Sequence, residues 1–105
     1  MYKHAQMLKE YLVCLEEERY YDAHEALEVI WFPRRFENND EMNLLKGFIN
    51  ASVSLELLKL QREKPSKKAW RTYLKYRPLL YKVNSVFLRD YHHIARCIES
   101  IKYKQ

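Results

Sequence analysis

His24, Glu25 and Glu28 form the densest group of chemistry-bearing side chains, in Tyr21-Asp22-Ala23-His24-Glu25-Ala26-Leu27-Glu28-Val29-Ile30-Trp31. A helix turns about 100° per residue, so His24 and Glu28 share a face while Glu25 turns away from His24. An imidazole beside a carboxylate can move a proton or hold a metal ion. The spacing is H-E-x-x-E, whereas zinc peptidases use H-E-x-x-H, with the second His as a ligand. Glu28 could replace that His only as a carboxylate ligand, and spacing sets no third ligand. The plainer reading is a His–Glu hydrogen bond closing the edge of the core beside Trp31.

Glu56 is the second such residue. On a helix it falls inside an apolar arc, between Ile49 and Ser52. A carboxylate buried without a partner is costly, so Glu56 is expected to pair with His24 or an Arg, or to serve a site. Asp90-Tyr91-His92-His93 contains a D-x-x-H spacing. Carboxylate-bridged di-iron bundles need two such motifs and two further carboxylates, and only one motif is present. His92 projects away from the apolar stripe and is expected in solvent. Lys64, Lys67, Lys68, Arg71, Lys75 and Lys82 fall within about 100° of arc if their helix is continuous. Such a basic stripe attracts phosphate backbones. It could equally be the solvated face of an amphipathic helix.

Positioning these residues takes helices. Apolar spacing predicts a first helix over Tyr2 to Glu18 and a second over Tyr21 to Trp31, ended by Pro33. Pro33 to Asp40 reads as a polar loop, with Asn39 or Asp40 capping the third helix, Glu41 to Arg62. That helix is apolar over most of its circumference, which places it in the middle of a bundle or at an oligomer interface. Gly47 within it marks a close approach of another helix. Pro65-Ser66 starts a fourth helix, which Pro78 kinks or ends. Asn84 or Ser85 caps a fifth, with Phe87, Tyr91, Ile94, Ile98 and Ile101 on its apolar face.

The expected fold is therefore all-α, a single domain of about five helices over residues 1–105. Bulk composition agrees. The chain has 105 residues, 48% hydrophobic and 31% charged, with one Gly and three Pro. That length suits one domain, and a single Gly excludes a glycine-rich phosphate loop. The net charge of +5 is uneven: residues 1–58 carry −5, residues 59–82 carry +8 and residues 83–105 carry +2. The N-terminus has no apolar signal core, and no run of apolar residues is long enough to span a membrane, so a cytoplasmic protein is expected. Cys14 and Cys97, without a CxxC, read as reduced core thiols.

The Tyr21–Trp31 segment resembles the signature of domain-of-unknown-function family 309, A-H-E-x-L-E-x-x-W. Leu44-Leu45-Lys46-Gly47-Phe48-Ile49-Asn50-Ala51-Ser52-Val53 is similar to the family's L-x-G-L-I-Q-x-A-x-A segment. The blocks and their spacing cover roughly residues 10 to 80. The resemblance implies an all-helical bundle of bacterial or archaeal origin and no assigned activity. Carried over by position, its polar residues are His24, Glu25 and Glu28, with Trp31 and Gly47 beside them. This chain departs from the family at three places. Glu18-Arg19 stand where a Gly is frequent, Glu56 where His is frequent, and Lys64-Pro65 where a Gly-Asn turn is frequent.

Function is left unknown by these patterns, with three readings ranked. First stands a non-enzymatic binding or interaction module, expected as a homodimer through the third helix and its aromatic surface, without cofactor or bound metal. Its functional pocket would contain His24, Glu25, Glu28, Trp31 and Glu56. Second is a metal-assisted hydrolase with His24, Glu28 and Glu56 as ligands and Glu25 as general base. Last is a weak nucleic-acid binder using Lys64, Lys67, Lys68, Arg71 and Lys75.

Overall fold

Residues Asp40–Lys59 form the central helix, and its residues explain why. Met42, Leu44, Leu45, Phe48, Ile49, Ala51 and Leu55 are all buried, and they point in several directions around the axis. One neighbour cannot cover so wide an apolar surface. The computed structural model describes residues 2–104. Among them are α1 (Tyr2–Glu16), α2 (Tyr20–Trp31), α3 (Asp40–Lys59), α4 (Glu63–Tyr76) and α5 (Leu88–Tyr103), with no strand. Short 3-10 turns at Phe32–Arg34 and Arg77–Tyr81 follow α2 and α4. Helices α2 and α4 pack on α3, α1 packs on α2, and α5 closes the bundle against α1 and α3. The apolar side chains of α3 thus find their cover within the chain. The radius of gyration, 12.6 Å, is that of one packed unit of this length.

The bundle is built from two helical hairpins with the same corner. At the end of α1, Glu18 adopts φ 59°. Its N–H donates to the Leu15 carbonyl (3.1 Å), and the Arg19 N–H donates to the Cys14 carbonyl (2.8 Å). At the end of α3, Gln61 adopts φ 62°, with Gln61 N–H on Leu58 O (2.9 Å) and Arg62 N–H on Leu57 O (2.8 Å). Both are Schellman turns, which satisfy the last free carbonyls of a helix. A glycine normally fills the left-handed position. Here Glu and Gln do, which is why the first and third helices stop short of the ends expected at Glu18 and Arg62. Lys59 donates to the Glu18 carbonyl (2.9 Å) and so ties the two corners together.

Other boundaries follow local chemistry. Of the two caps expected for α3, Asn39 is the one used: its Oδ1 accepts the Met42 N–H at 2.8 Å. Helix α4 begins at Glu63, two residues before Pro65, because a proline in the first turn lacks only an N–H that would be free anyway. Pro78 ends α4, which passes into the 3-10 turn. Helix α5 starts at Leu88, later than a cap at Asn84 or Ser85 would give. The Ser85 hydroxyl accepts the Phe87 N–H (3.1 Å) just ahead of the helix instead.

Polar groups in the core are matched. Ser54 and Ser66, both buried, bond each other's carbonyls reciprocally at 2.8 Å and clasp α3 to α4. Tyr11, fully buried, donates to the Phe48 carbonyl (2.8 Å). Gly47 lies where α3 and α4 approach: a Cβ there would sit 3.0 Å from the Tyr76 Cβ. The expected close approach is therefore with α4.

Candidate functional site

Helix α2 positions His24 by burying Ala23, Ala26, Leu27 and Ile30 against the bundle, which leaves His24 and Glu28 on the shoulder. His24 Nδ1 is 2.7 Å from the Tyr21 carbonyl, and Nε2 is 2.7 Å from Glu28 Oε1. Both ring nitrogens are thus engaged by oxygens of the same helix. The pair is partly in solvent, with side chains 18% and 38% exposed, so it contributes at most about 1 kcal/mol.

Across from it, α3 presents Val53, Glu56 and Leu57. With Tyr21, His24 and Leu60 they line an open pocket of about 350 Å³ between α2 and α3. His24 and Glu56 therefore share a cavity, but they do not bond. Glu56 makes no hydrogen bond or ion pair with any described residue, so the expected His24–Glu56 pairing is absent. The α3 register places Glu56 beside the pocket, while both nitrogens of His24 are already taken up by Tyr21 and Glu28 of its own helix. The remaining members of the expected site scatter. Glu25 is exposed on the far side of α2. Trp31 packs against the core, edge-on to Phe32, and does not line this pocket. The described residues contain no group of three or more His, Cys, Asp or Glu placed to hold a metal ion.

The basic stripe forms. Lys64, Lys67, Lys68, Arg71 and Lys75 are all exposed on α4. Lys82 leaves it, because the helix stops at Tyr76. Asp90 and His93 are exposed and do not bond each other, while His92, expected in solvent, is half-buried and edge-on to Tyr81 at 5.9 Å. Cys14 is a free core thiol, but Cys97 is only half-buried. It lines a second, shallow groove of about 460 Å³ between α1 and α5, with Leu12, Glu16, His93 and Arg96. Burial pushes the Cys97 thiol up, Arg96 opposes this and Glu16 adds to it. Its sulfur is 3.8 Å from His93 Nε2.

Two polar networks escape the sequence patterns. In one, Ser85 (2.7 Å) and Tyr91 both donate to Glu41 Oε2. The Tyr91 proton is therefore committed, and its oxygen faces His4 Nε2 at 2.7 Å. The His4 ring stacks on Phe87, centroids 4.2 Å apart. Burial holds His4 below its ordinary value of 6.5; Glu41 and Asp90 pull it up, and Arg34 and the N-terminus push it further down. Burial, and then the bond to Glu41, raises the Tyr91 phenol. In the other network, Tyr73 (2.6 Å) and Arg77 donate to Glu99 on α5. Burial alone would raise the Glu99 carboxyl, but bonds from Arg77 and Tyr73 outweigh it and hold the group low. Glu99 lies four residues after buried Ala95, at the edge of the apolar face of α5. His4 had no such signal, since its partner Tyr91 is 87 residues away.

Comparison with known proteins adds a family. The model of a domain of unknown function, DUF309, matches residues 8–70. These residues include both hairpin corners, His24, Glu28 and Glu56. Neither curated proteins nor solved structures give a match.

Proposed function

The chain belongs to the DUF309 family, and we propose that this member is a non-enzymatic binding module whose ligand enters the pocket between α2 and α3. The pocket carries the reading. Its size, about 350 Å³, is within the range of small-molecule sites, and its walls are apolar with a few polar groups. The surroundings favour binding over catalysis. His24 is held by Tyr21 and Glu28, which suits an orienting wall better than a free base. A metal-assisted hydrolase would need His24, Glu28 and Glu56 to converge, and Glu56 bonds neither of the other two. In this reading the protein works in the cytoplasm; among the described residues no helix is long and apolar enough to cross a membrane.

Filling the pocket tests the reading. Val53→Trp, with Leu60→Trp as a second variant at an exposed rim position, should abolish saturable thermal shifts from a small-molecule library while the native melt is retained. Ligands that still bind both folded variants would contradict it.

A second reading draws on α4. Lys64, Lys67, Lys68, Arg71 and Lys75 are exposed, and no ion pair among the described residues engages them. Weak, sequence-independent nucleic-acid binding along this stripe would fall steeply with salt. A homodimer would use a surface other than α3. Phe36 is 85% exposed, and the Arg35 guanidinium lies over its ring (4.5 Å) and over that of half-exposed Phe32 (3.6 Å). Aromatic and Arg side chains of this kind are enriched in interfaces.

A further inference from the structure

We propose that the α2–α3 pocket binds an organic ammonium ion with an apolar tail, and that the Glu56 carboxylate is its counter-charge. The inference rests on the binding reading above and names the ligand class.

The partly buried carboxylates of the chain supply the argument. There are four among the described residues: Glu28, Glu41, Glu56 and Glu99. Glu28 meets His24, Glu41 accepts from Ser85 and Tyr91, and Glu99 accepts from Tyr73 and Arg77. Glu56 alone of these has no partner, and it lines the α2–α3 pocket. A ligand that fills the pocket takes this carboxylate out of water, which is unfavourable unless the ligand brings an opposite charge or a donor. The nearest cation on its own helix does not reach the carboxylate. Lys59 turns to the Glu18 carbonyl and lies 5.8 Å from the Tyr20 ring centroid.

The pocket walls select the rest of the ligand. Val53, Leu57 and Leu60 offer aliphatic surface, and the Tyr21 ring, itself edge-on to His24 at 4.9 Å, offers an aromatic edge and face. An ammonium head fits both the carboxylate and an aromatic face. An alkyl tail fits the aliphatic wall. A carboxylate or phosphate ligand would meet Glu56 as a like charge, and a neutral ligand would offer it at best an uncharged donor, a weaker partner than an ammonium. His24 cannot supply the missing charge to Glu56, because its two nitrogens already face Tyr21 and Glu28. The same head group occurs on free amines and on the lysine side chains of proteins.

The test is a titration followed by amide NMR, using hexylamine, hexanol and hexanoate, matched in chain length and differing in charge. Hexylamine should bind about tenfold more tightly than hexanol, equivalent to about 1.4 kcal/mol, and hexanoate should bind least. Shifts should centre on Tyr21, His24, Val53 and Glu56. Glu56→Gln, which breaks no internal bond and should fold normally, should erase the advantage of hexylamine while leaving hexanol binding unchanged. Nα-acetyl-lysine amide separates the sources: tighter binding than hexylamine identifies a partner's lysine, and weaker binding a free amine. Hexanol or hexanoate binding as tightly as hexylamine would overturn the ammonium inference and leave the pocket reading standing. So would a hexylamine advantage that survives Glu56→Gln. Failure of all three probes to bind the wild-type chain would overturn both.

Discussion

Replacing Glu18 and Gln61 with glycine should stabilise the protein. Both residues sit in the left-handed region, at φ 59° and φ 62°, as the turning residues of the two hairpin corners. A side chain there costs about 1–2 kcal/mol, because Cβ crowds the following carbonyl. Glycine removes that crowding but has more freedom to lose on folding, a penalty of about 0.5–1 kcal/mol. Neither side chain makes a hydrogen bond or ion pair, and the Lys59 contact at the first corner is to the Glu18 main-chain carbonyl, which glycine keeps. The net gain should be about 0.5–1 kcal/mol for each variant. Urea denaturation should show a higher midpoint with an unchanged slope, and Tm should rise by about 4–8 °C per kcal/mol gained. Glu10→Gly, in the exposed middle of α1, is the control and should lose about 1 kcal/mol. If Glu18→Gly and Gln61→Gly lose stability as the control does, the corners are not strained and the reasoning is wrong.

Further expectations follow from the same structure. Gly47→Ala should destabilise by about 1 kcal/mol in urea despite better helix propensity, because its Cβ would press on the Tyr76 Cβ, an atom that cannot swing aside. Glu99→Gln should cost about 1–3 kcal/mol, since Arg77 and Tyr73 lose their shared acceptor. Because the Glu99 carboxyl is held low in the folded state, its contribution should be present above the ordinary carboxylate range near 4.5 and fade as pH falls through the lower folded value, a loss missing from the variant. His4 should act in a separate window. Its folded value is below 6.5, so the unfolded chain takes up the proton first and stability should drop as pH falls from about 6.5, a decline that His4→Gln should lack when melts are compared from neutral to mildly acid pH. Glu56→Gln should leave stability unchanged or slightly raised, in contrast to Glu99→Gln, because Glu56 has no partner to abandon.

Much of this architecture is legible in the sequence, where one periodicity dominates. The wide apolar arc of α3 places it at the centre, Asn39 and Asp40 offer its cap, of which Asn39 is used, and Gly47 marks a close helix approach, which is with α4. Helix ends are harder to read when the usual punctuation is missing. Glu18 and Gln61 occupy positions that glycine normally marks, so their helices read too long. The proline of α4 reads as a start although it stands inside the first turn. Site residues divide in the same way. His24 and Glu28 are neighbours by helical spacing alone, and they do meet. Whether Glu56 meets His24 depends on where α2 lies across α3, and the partnership of His4 with Tyr91 and Glu41 joins three separate helices. Neither has a local signal, because the energy is in the tertiary contact.

The most direct measurement is the map of amide shifts over the whole chain during titration of the wild-type protein with hexylamine. One saturating patch is expected, formed by Tyr21, His24, Val53, Glu56, Leu57 and Leu60, with the α1–α5 groove around Cys97 and the exposed face of α4 unmoved. A saturating patch at either of those other places, with the α2–α3 pocket silent, would contradict it.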